Sequence, residues 1–380
     1  MAAKFLRFWL TLLAVLTTGG LVRAAEVVVG QVAPLSGVLA ATGAQMVLGG
    51  KIYFDHINAQ GGVHGARIKH LVLDDGYKID ETVRLTKQVI EKDKAVVLFG
   101  YAGTSNLAEL LKHNVMQDAK VALVGPYTGG EPLRSPFNPN IFHIRAGYMD
   151  EAEHMVRHLV SLGITKIGVY YQNDGFGKSG LAGVEKALEQ RSLKLTANAP
   201  YERNKLDDSV TQAIAKFKGA NVDAIIMISI NPTTAAFAKA YREAGGLGQL
   251  FNISVVDPAE LVKLAGTKNL HGLGIAQVVP FPYSRLLPVI REYQDLFAKY
   301  APKDATFSYT SFEEFIGAKV LVEGLRRAGP NPTRERVLRA LENLGTYDVG
   351  GFIVQYSPEN RIGSKYVELT VMGRDGRLLR

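Results

Sequence analysis

Two open α/β lobes with parallel sheets are what this 380-residue sequence predicts, and three features carry that expectation. Apolar runs rich in Val and Ile recur at EVVVGQVAP, IKHLVLDD, AVVLFG, VALVG, KIGVYY, VDAIIMISI and LGIAQVV. Amphipathic helical segments lie between them, the pattern of βαβ units whose sheets carry helices on both faces. The alternation runs twice, from Glu26 to about Arg145 and again from KIGVYY onward, and the length favours two lobes over one core. Lobes facing each other gather their strand ends, where ligands of open α/β sheets sit, around one shared cleft.

The chain starts with a segment of another kind. Lys4 and Arg7 precede the apolar run FWLTLLAVL, and GGLVRAAE follows with small residues at Val22 and Ala24. This order describes a secretory signal peptide over residues 1–24, cleaved after Ala24. A retained membrane anchor is the alternative, but the apolar core is too short to span a bilayer and no stop-transfer pattern follows. Cysteine is absent, which excludes disulfides, thiolate metal sites and a lipid-modified cysteine. A protein free in the periplasm is therefore expected. The formal charge of +8 falls to +5 without Lys4, Arg7 and Arg23, and no dense basic run remains to suggest nucleic acid.

Along the mature chain, apolar residues at Met46, Val47, Ile52, Tyr53 and Ile57 mark a helix over Met46–Ile57. Glu81–Ile90 and Glu151–Leu162 have the same character. A long helical region spans Ser308 to Leu344, and late strands follow at DVGGFIVQY and KYVELTVM. The stretch VVLFGYAGTSNLAELLKHN stands out. Its apolar run stops at Gly100, small polar residues follow, and a helical pattern starts at Leu107. A strand turning into a helix there presents free amides and the positive end of a helix dipole, which suit an anion. An ordinary N-cap is the plainer use of the same Thr, Ser and Asn.

Two other motifs have weaker chemistry behind them. GFGKSG, with Gly175, Gly177 and Gly180, fits the dinucleotide fingerprint between a strand and a helix. An acidic residue ending the next strand is wanted about twenty residues on, and Glu202 follows Pro200 awkwardly. A tight strand–turn–helix packing motif is the better reading, and an exported NAD-dependent oxidoreductase is the minor one. His154 and His158 stand one helical turn apart but lack an evident third metal ligand, so a polar helix face is expected. No G-x-S-x-G elbow occurs. Catalysis, cofactors and metals are not indicated.

Taken in order, GQVAPLSGVLAATG, AQMVLGGKIYFDHINAQGGVHGARIKHLVLDDG, VVLFGYAGTSN, VALVGPYTGGEPLR, YYQNDGFGKSG and NVDAIIMISINPTTAAFAKAYREAGG resemble the type I periplasmic substrate-binding proteins of branched-chain amino acid ABC importers, the leucine/isoleucine/valine-binding family. The resemblance covers nearly the whole mature chain. It implies two Rossmann-like lobes joined by three hinge crossings, divided here as 25–145 plus 281–347 and 146–280 plus 348–380. It also implies a monomer that hands a small carboxylate to an inner-membrane ABC permease. A ligand-sensing module of the same fold is the other reading it allows.

Carried over position by position, the resemblance places a carboxylate cradle at Ala102, Gly103 and Thr104, with Tyr127 and Thr128 or Gly129 opposite. Phe176 becomes an aromatic wall. The acid that pairs with a ligand ammonium in amino-acid binders falls near Val255, with Ser254 beside it and Asp257 two residues on. A tyrosine that helps it aligns with Ile230. An unpaired buried ammonium is costly. Tyr101, Tyr148, Phe176, Ile230, Ser254 and Tyr309 would then surround a carboxylate with an aromatic or branched body, unless Asp257 restores the missing acid.

Overall fold

The computed structural model describes residues 25–203 and 209–380. The expected signal peptide, residues 1–24, lies outside them. Two parallel-cored sheets dominate. The first runs in the order β2 (Arg67–Asp74), β1 (Glu26–Ala33), β3 (Val97–Phe99), β4 (Leu123–Val124), β5 (Ile141–Phe142), all parallel. The second places β10 (Gly274–Gln277), β9 (Gln249–Asn252), β8 (Ala224–Ile228), β6 (Ile167–Gln172) and β7 (Ala197–Tyr201) side by side in parallel. Two antiparallel strands, β13 (Glu368–Met372) and β14 (Leu378–Leu379), extend its β10 edge. The β8 strand reads AIIMI and is buried at every residue, as a central parallel strand covered on both faces must be.

The helices are placed by their apolar faces. Helix α1 (Ala40–Ala59) follows β1, and α2 (Ile79–Glu91) follows β2. The long helical region resolves into α12 (Tyr309–Ala328) and α13 (Arg334–Glu342), broken at GPNPT, where Gly329 has φ +77° and Pro332 cannot donate an amide. Helix α12 is buried along almost its whole length and packs closely on α1. A Cβ at Gly49 would lie 2.1 Å from the Ser311 carbonyl oxygen, so only glycine lets the two backbones approach this far.

Three short parallel strands fall outside the strong apolar runs. Ile141–Phe142 is too brief to show a period, Ala197–Tyr201 carries Pro200 on an edge strand, and Gln249–Asn252 is too short to alternate visibly. The expected third boundary, between 347 and 348, also misses the place where the contacts change. The hairpin β11 (Gly345–Asp348) and β12 (Ile353–Tyr356) lies beside the first sheet. The Tyr356 ring meets Phe142 edge-on at 5.2 Å, and its hydroxyl donates to the His143 carbonyl at 3.0 Å. The Gly363 amide donates to the same carbonyl at 2.8 Å. The chain therefore stays with the first lobe until about Gly363, held by side chains too distant in sequence for local patterning to reveal.

Candidate functional site

The loops that leave β1, β2, β3 and β4 face those that leave β6, β8 and β9 across a narrow cleft. Its walls are Leu39, Thr42, Tyr77, Ala102, Gly103, Thr104 and Tyr127 on one side, with Tyr148, Phe176, Ile230 and Val255 opposite. The residual cavity is about 20 Å³, room for little more than a water, so a solute of several carbons enters only when the lobes part. Larger cavities, about 340 and 370 Å³, flank Phe281 near the crossings. They are lined mainly by the segment after β10 and the strands at the chain's end rather than by the facing loops of the two lobes, so size does not mark this site.

The anion end is built by the stretch that stood out in the sequence. Gly103, at φ +96°, turns the chain from β3 into helix α3 (Thr104–Lys112), and a left-handed turn of that kind selects glycine. The first-turn amides of α3 have no acceptor within the helix, and the dipole adds partial positive charge. Thr104 is fully buried, and its hydroxyl shares a 2.6 Å hydrogen bond with that of Thr128. The Gly130 amide donates to Thr128 Oγ1 at 3.1 Å, and Tyr148 bonds Thr128 as well. Thr128 thus stands behind Thr104 and orients it. Tyr127 is fixed by its amide, which donates to the Tyr101 carbonyl at 2.7 Å, and by a 2.9 Å hydroxyl–hydroxyl bond to Thr310.

Seven of the ten expected site residues meet at the cleft: Ala102, Gly103, Thr104, Tyr127, Tyr148, Phe176 and Ile230. The other three point elsewhere. Extended chain sends successive side chains to opposite sides, so a neighbour of a lining residue usually faces away. Tyr101 faces the core between β3 and α2, where the Thr86 hydroxyl donates to its phenol at 3.4 Å. Thr128 acts through Thr104. Ser254 gives its hydroxyl to Glu151, while Val255 next to it lines the cleft. Tyr309 lies against Phe281 and Tyr283 near the crossings, not in the cleft. Leu39, Thr42 and Tyr77 are additions. Leu39 and Tyr77 sit on the segments after β1 and β2 and Thr42 in the first turn of α1, where reading every strand end alike finds candidates.

The far wall is apolar. Asp257 does not reach it, because its carboxylate caps helix α9 (Pro258–Ala265) by accepting from the Glu260 amide at 2.9 Å. The acid nearest in sequence logic turns out to be Glu151, which sequence reasoning passed over. It interrupts the buried face of helix α5 (Tyr148–Ser161), and a charge on such a stripe was the available signal. Both its oxygens are taken by Ser254, from the amide at 2.8 Å and the hydroxyl at 2.9 Å. Burial raises its pKa from 4.5 to about 7, against the pull of Arg145 and the Ser254 bonds.

The glycines of GFGKSG serve packing. A Cβ at Gly177 would lie 1.9 Å from the Gln172 carbonyl oxygen, and Asp174 caps helix α6 (Gly175–Glu189) by accepting from the Phe176 and Gly177 amides. A carboxylate already sits where a pyrophosphate would bind. At the histidine pair, a ring nitrogen of His154 lies 2.9 Å from the Asp150 carbonyl oxygen. Among the described residues no three His, Asp or Glu side chains come together as a metal would require.

The family model for the periplasmic binding proteins matches residues 26–376. A substrate-binding periplasmic protein from Ralstonia solanacearum is similar in structure, with a TM-score of 0.88, 40% identity, and 93% of this chain and 99% of that one covered. A possible leucine/isoleucine/valine-binding protein from Rhodopirellula baltica has a TM-score of 0.88 at 27% identity, covering 95% and 98%. In sequence, the Leu/Ile/Val-binding protein homolog 7 of Brucella abortus is 22% identical over 336 residues, 83% of this chain and 80% of its own. With two facing α/β lobes, a cleft at their strand ends and a family match over residues 26–376, this chain belongs to the periplasmic binding proteins of the Leu/Ile/Val-binding type.

Proposed function

We propose that the chain is the exported solute-capturing component of an ABC importer, and that its solute is a small carboxylate without an α-amino group and with a branched or aromatic body. One observation carries the choice of solute. Among the described residues no carboxylate lines the cleft, since Asp257 caps a helix and both oxygens of Glu151 are held by Ser254. A zwitterionic amino acid would put its ammonium against Ile230 and Val255, and an unpaired buried cation costs far more than a methyl group gains. The α3 amides and Thr104 supply charge-assisted hydrogen bonds to the acid, and Tyr148, Phe176 and Ile230 enclose the body. The mature protein begins at Ala25, moves as a monomer in the periplasm and docks on an inner-membrane permease when closed. No catalytic role or cofactor belongs to this reading.

Calorimetric titration with 4-methylpentanoate and phenylacetate against leucine, isoleucine and valine tests it. The amine-free acids are expected to bind at least tenfold more tightly, about 1.4 kcal/mol. Sub-micromolar leucine binding would instead make this an amino-acid carrier, as the names of its Brucella and Rhodopirellula relatives suggest. Osmotic-shock release of a chain starting at Ala25 tests the location, and a chain retained in the membrane with Met1 intact would refute it.

A further inference from the structure

At one end of the cleft the Arg203 guanidinium is tied to both lobes. Arg203 follows β7 of the second sheet. Its Nη2 donates to the Tyr77 carbonyl at 2.7 Å and to Asn106 Oδ1 at 2.6 Å, both on the first lobe. Its Nη1 donates to Asp174 Oδ2 at 2.7 Å on its own lobe. The guanidinium carbon lies 3.6 Å from the centre of the Tyr77 ring, within cation–π range.

Tyr77 is itself unusual. Its φ of +62° is in the left-handed region, which bulky residues avoid. Asp75 holds it there by accepting the Tyr77 amide at 2.9 Å. Such strain persists only where the surroundings over-determine it, and here it aims a ring into the cleft wall. Other contacts join the lobes, and at the same ring Gln172 Nε2 donates to the Tyr77 hydroxyl at 3.4 Å. Gly175 donates its amide to Ser105 Oγ at 3.0 Å, and Glu131 donates its amide to Ser179 Oγ at 2.9 Å. Asn231 reaches Thr42 at 3.3 Å, and Tyr127 reaches the Ser254 carbonyl at 3.4 Å. These are neutral, whereas the Arg203 bonds are charge-assisted and short.

We infer that Arg203 is a positioning residue, a charged latch that fixes the Tyr77 wall and holds the lobes closed, and so sets how long a captured solute stays. The last clause rests on the cleft being the binding site; the latch itself does not. Asp174 makes the device reversible. Its Oδ1 caps α6 while Oδ2 keeps Arg203 paired, so the guanidinium stays neutralised and aimed when the lobes part. Of the Arg203 contacts, opening then breaks only the bonds to Tyr77 and Asn106 and the ring contact.

The absence of cysteine allows a direct test. Lys87→Cys and Glu185→Cys place one spin label on the exposed surface of each lobe, and pulsed dipolar spectroscopy reads the distance between them. The parent is expected to show a short-distance, closed population without added solute. Arg203→Ala should lower the closed-to-open ratio at least tenfold. Arg203→Lys keeps a charge over the ring but cannot span three acceptors, and should fall between. With 4-methylpentanoate as probe, Arg203→Ala should speed dissociation at least tenfold and leave association nearly unchanged. A parent without the short distance, or an Arg203→Ala distribution matching the parent, would overturn the latch. If no amine-free acid binds, the proposed solute fails while the distances still decide about Arg203.

Discussion

Arg145 and Glu313 form a two-bond fork beside the first crossing, with Nε donating to Oε1 at 2.8 Å and Nη2 to Oε2 at 2.7 Å. Their side chains are 0% and 5% exposed, so each is the other's substitute for water. The same guanidinium lies 4.3 Å over the Tyr127 ring, which lines the cleft. The ion pair that anchors helix α12 to the end of the first sheet therefore also supports a ligand wall.

Removing one member of this pair leaves a buried charge without compensation, which costs about 3–5 kcal/mol. Glu313→Gln should lower the urea midpoint accordingly. The double variant Arg145→Met/Glu313→Leu should recover much of the loss, because an apolar pair of similar size carries no desolvation cost. Equal midpoints for the single and double variants would show that the pair is not coupled.

Glu151 makes stability depend on pH in the direction opposite to most carboxylates. Its pKa rises from 4.5 to about 7 on folding, so the native state holds this proton more tightly than the unfolded chain. The stability linked to it is fully present below about pH 4.5, declines as pH rises through 7, and stays lost above that. Glu151→Gln should flatten this slope and raise stability at pH 8 by on the order of 1–3 kcal/mol. Urea denaturation of both proteins at pH 5 and pH 8 checks it, and parallel changes in the two would exonerate Glu151.

Asp257 offers a cleaner separation of structure from binding. Asp257→Ala should cost about 1 kcal/mol through loss of the α9 cap, while Asp257→Asn, an equally good cap, should cost little. Neither should change the affinity for 4-methylpentanoate. Loss of solute binding in the Asn variant alone would mean that the carboxylate serves a ligand.

Much of this was legible in the sequence, for identifiable reasons. Runs such as AIIMI and the helices between them announce parallel sheets, and the glycine–hydroxyl turn at Gly103–Thr104 announces a helix start open to an anion. What stayed hidden depends on a single residue of register or on distant partners. Tyr101 and Ala102, or Ser254 and Val255, are adjacent letters on opposite sides of an extended chain, and no pattern says which faces the cleft. Glu151 and Arg203 find their partners 103 and 126 residues away, at Ser254 and Tyr77.

Thr104 is the residue expected to meet the solute's carboxylate. Thr104→Val keeps the shape and removes one charge-assisted hydrogen bond, which should weaken 4-methylpentanoate binding by roughly 1.5–3 kcal/mol. Undiminished affinity in a calorimetric titration would take Thr104 out of the site.

Val255 gives the most direct test of why the site should reject amino acids. It lies on the apolar wall opposite α3, with its neighbour Ser254 already committed to Glu151. Val255→Asp would put an acid where an ammonium group would arrive. An unpaired buried carboxylate is unfavourable, so the variant should be less stable without solute and should repel an amine-free acid. A zwitterion would bring its own counter-charge. The affinity ratio of leucine to 4-methylpentanoate should therefore shift toward leucine by at least tenfold, about 1.4 kcal/mol. A ratio that stays put in a folded variant would mean that Val255 does not face the solute's α-carbon. The lack of an acid on this wall would then no longer argue against an amino acid.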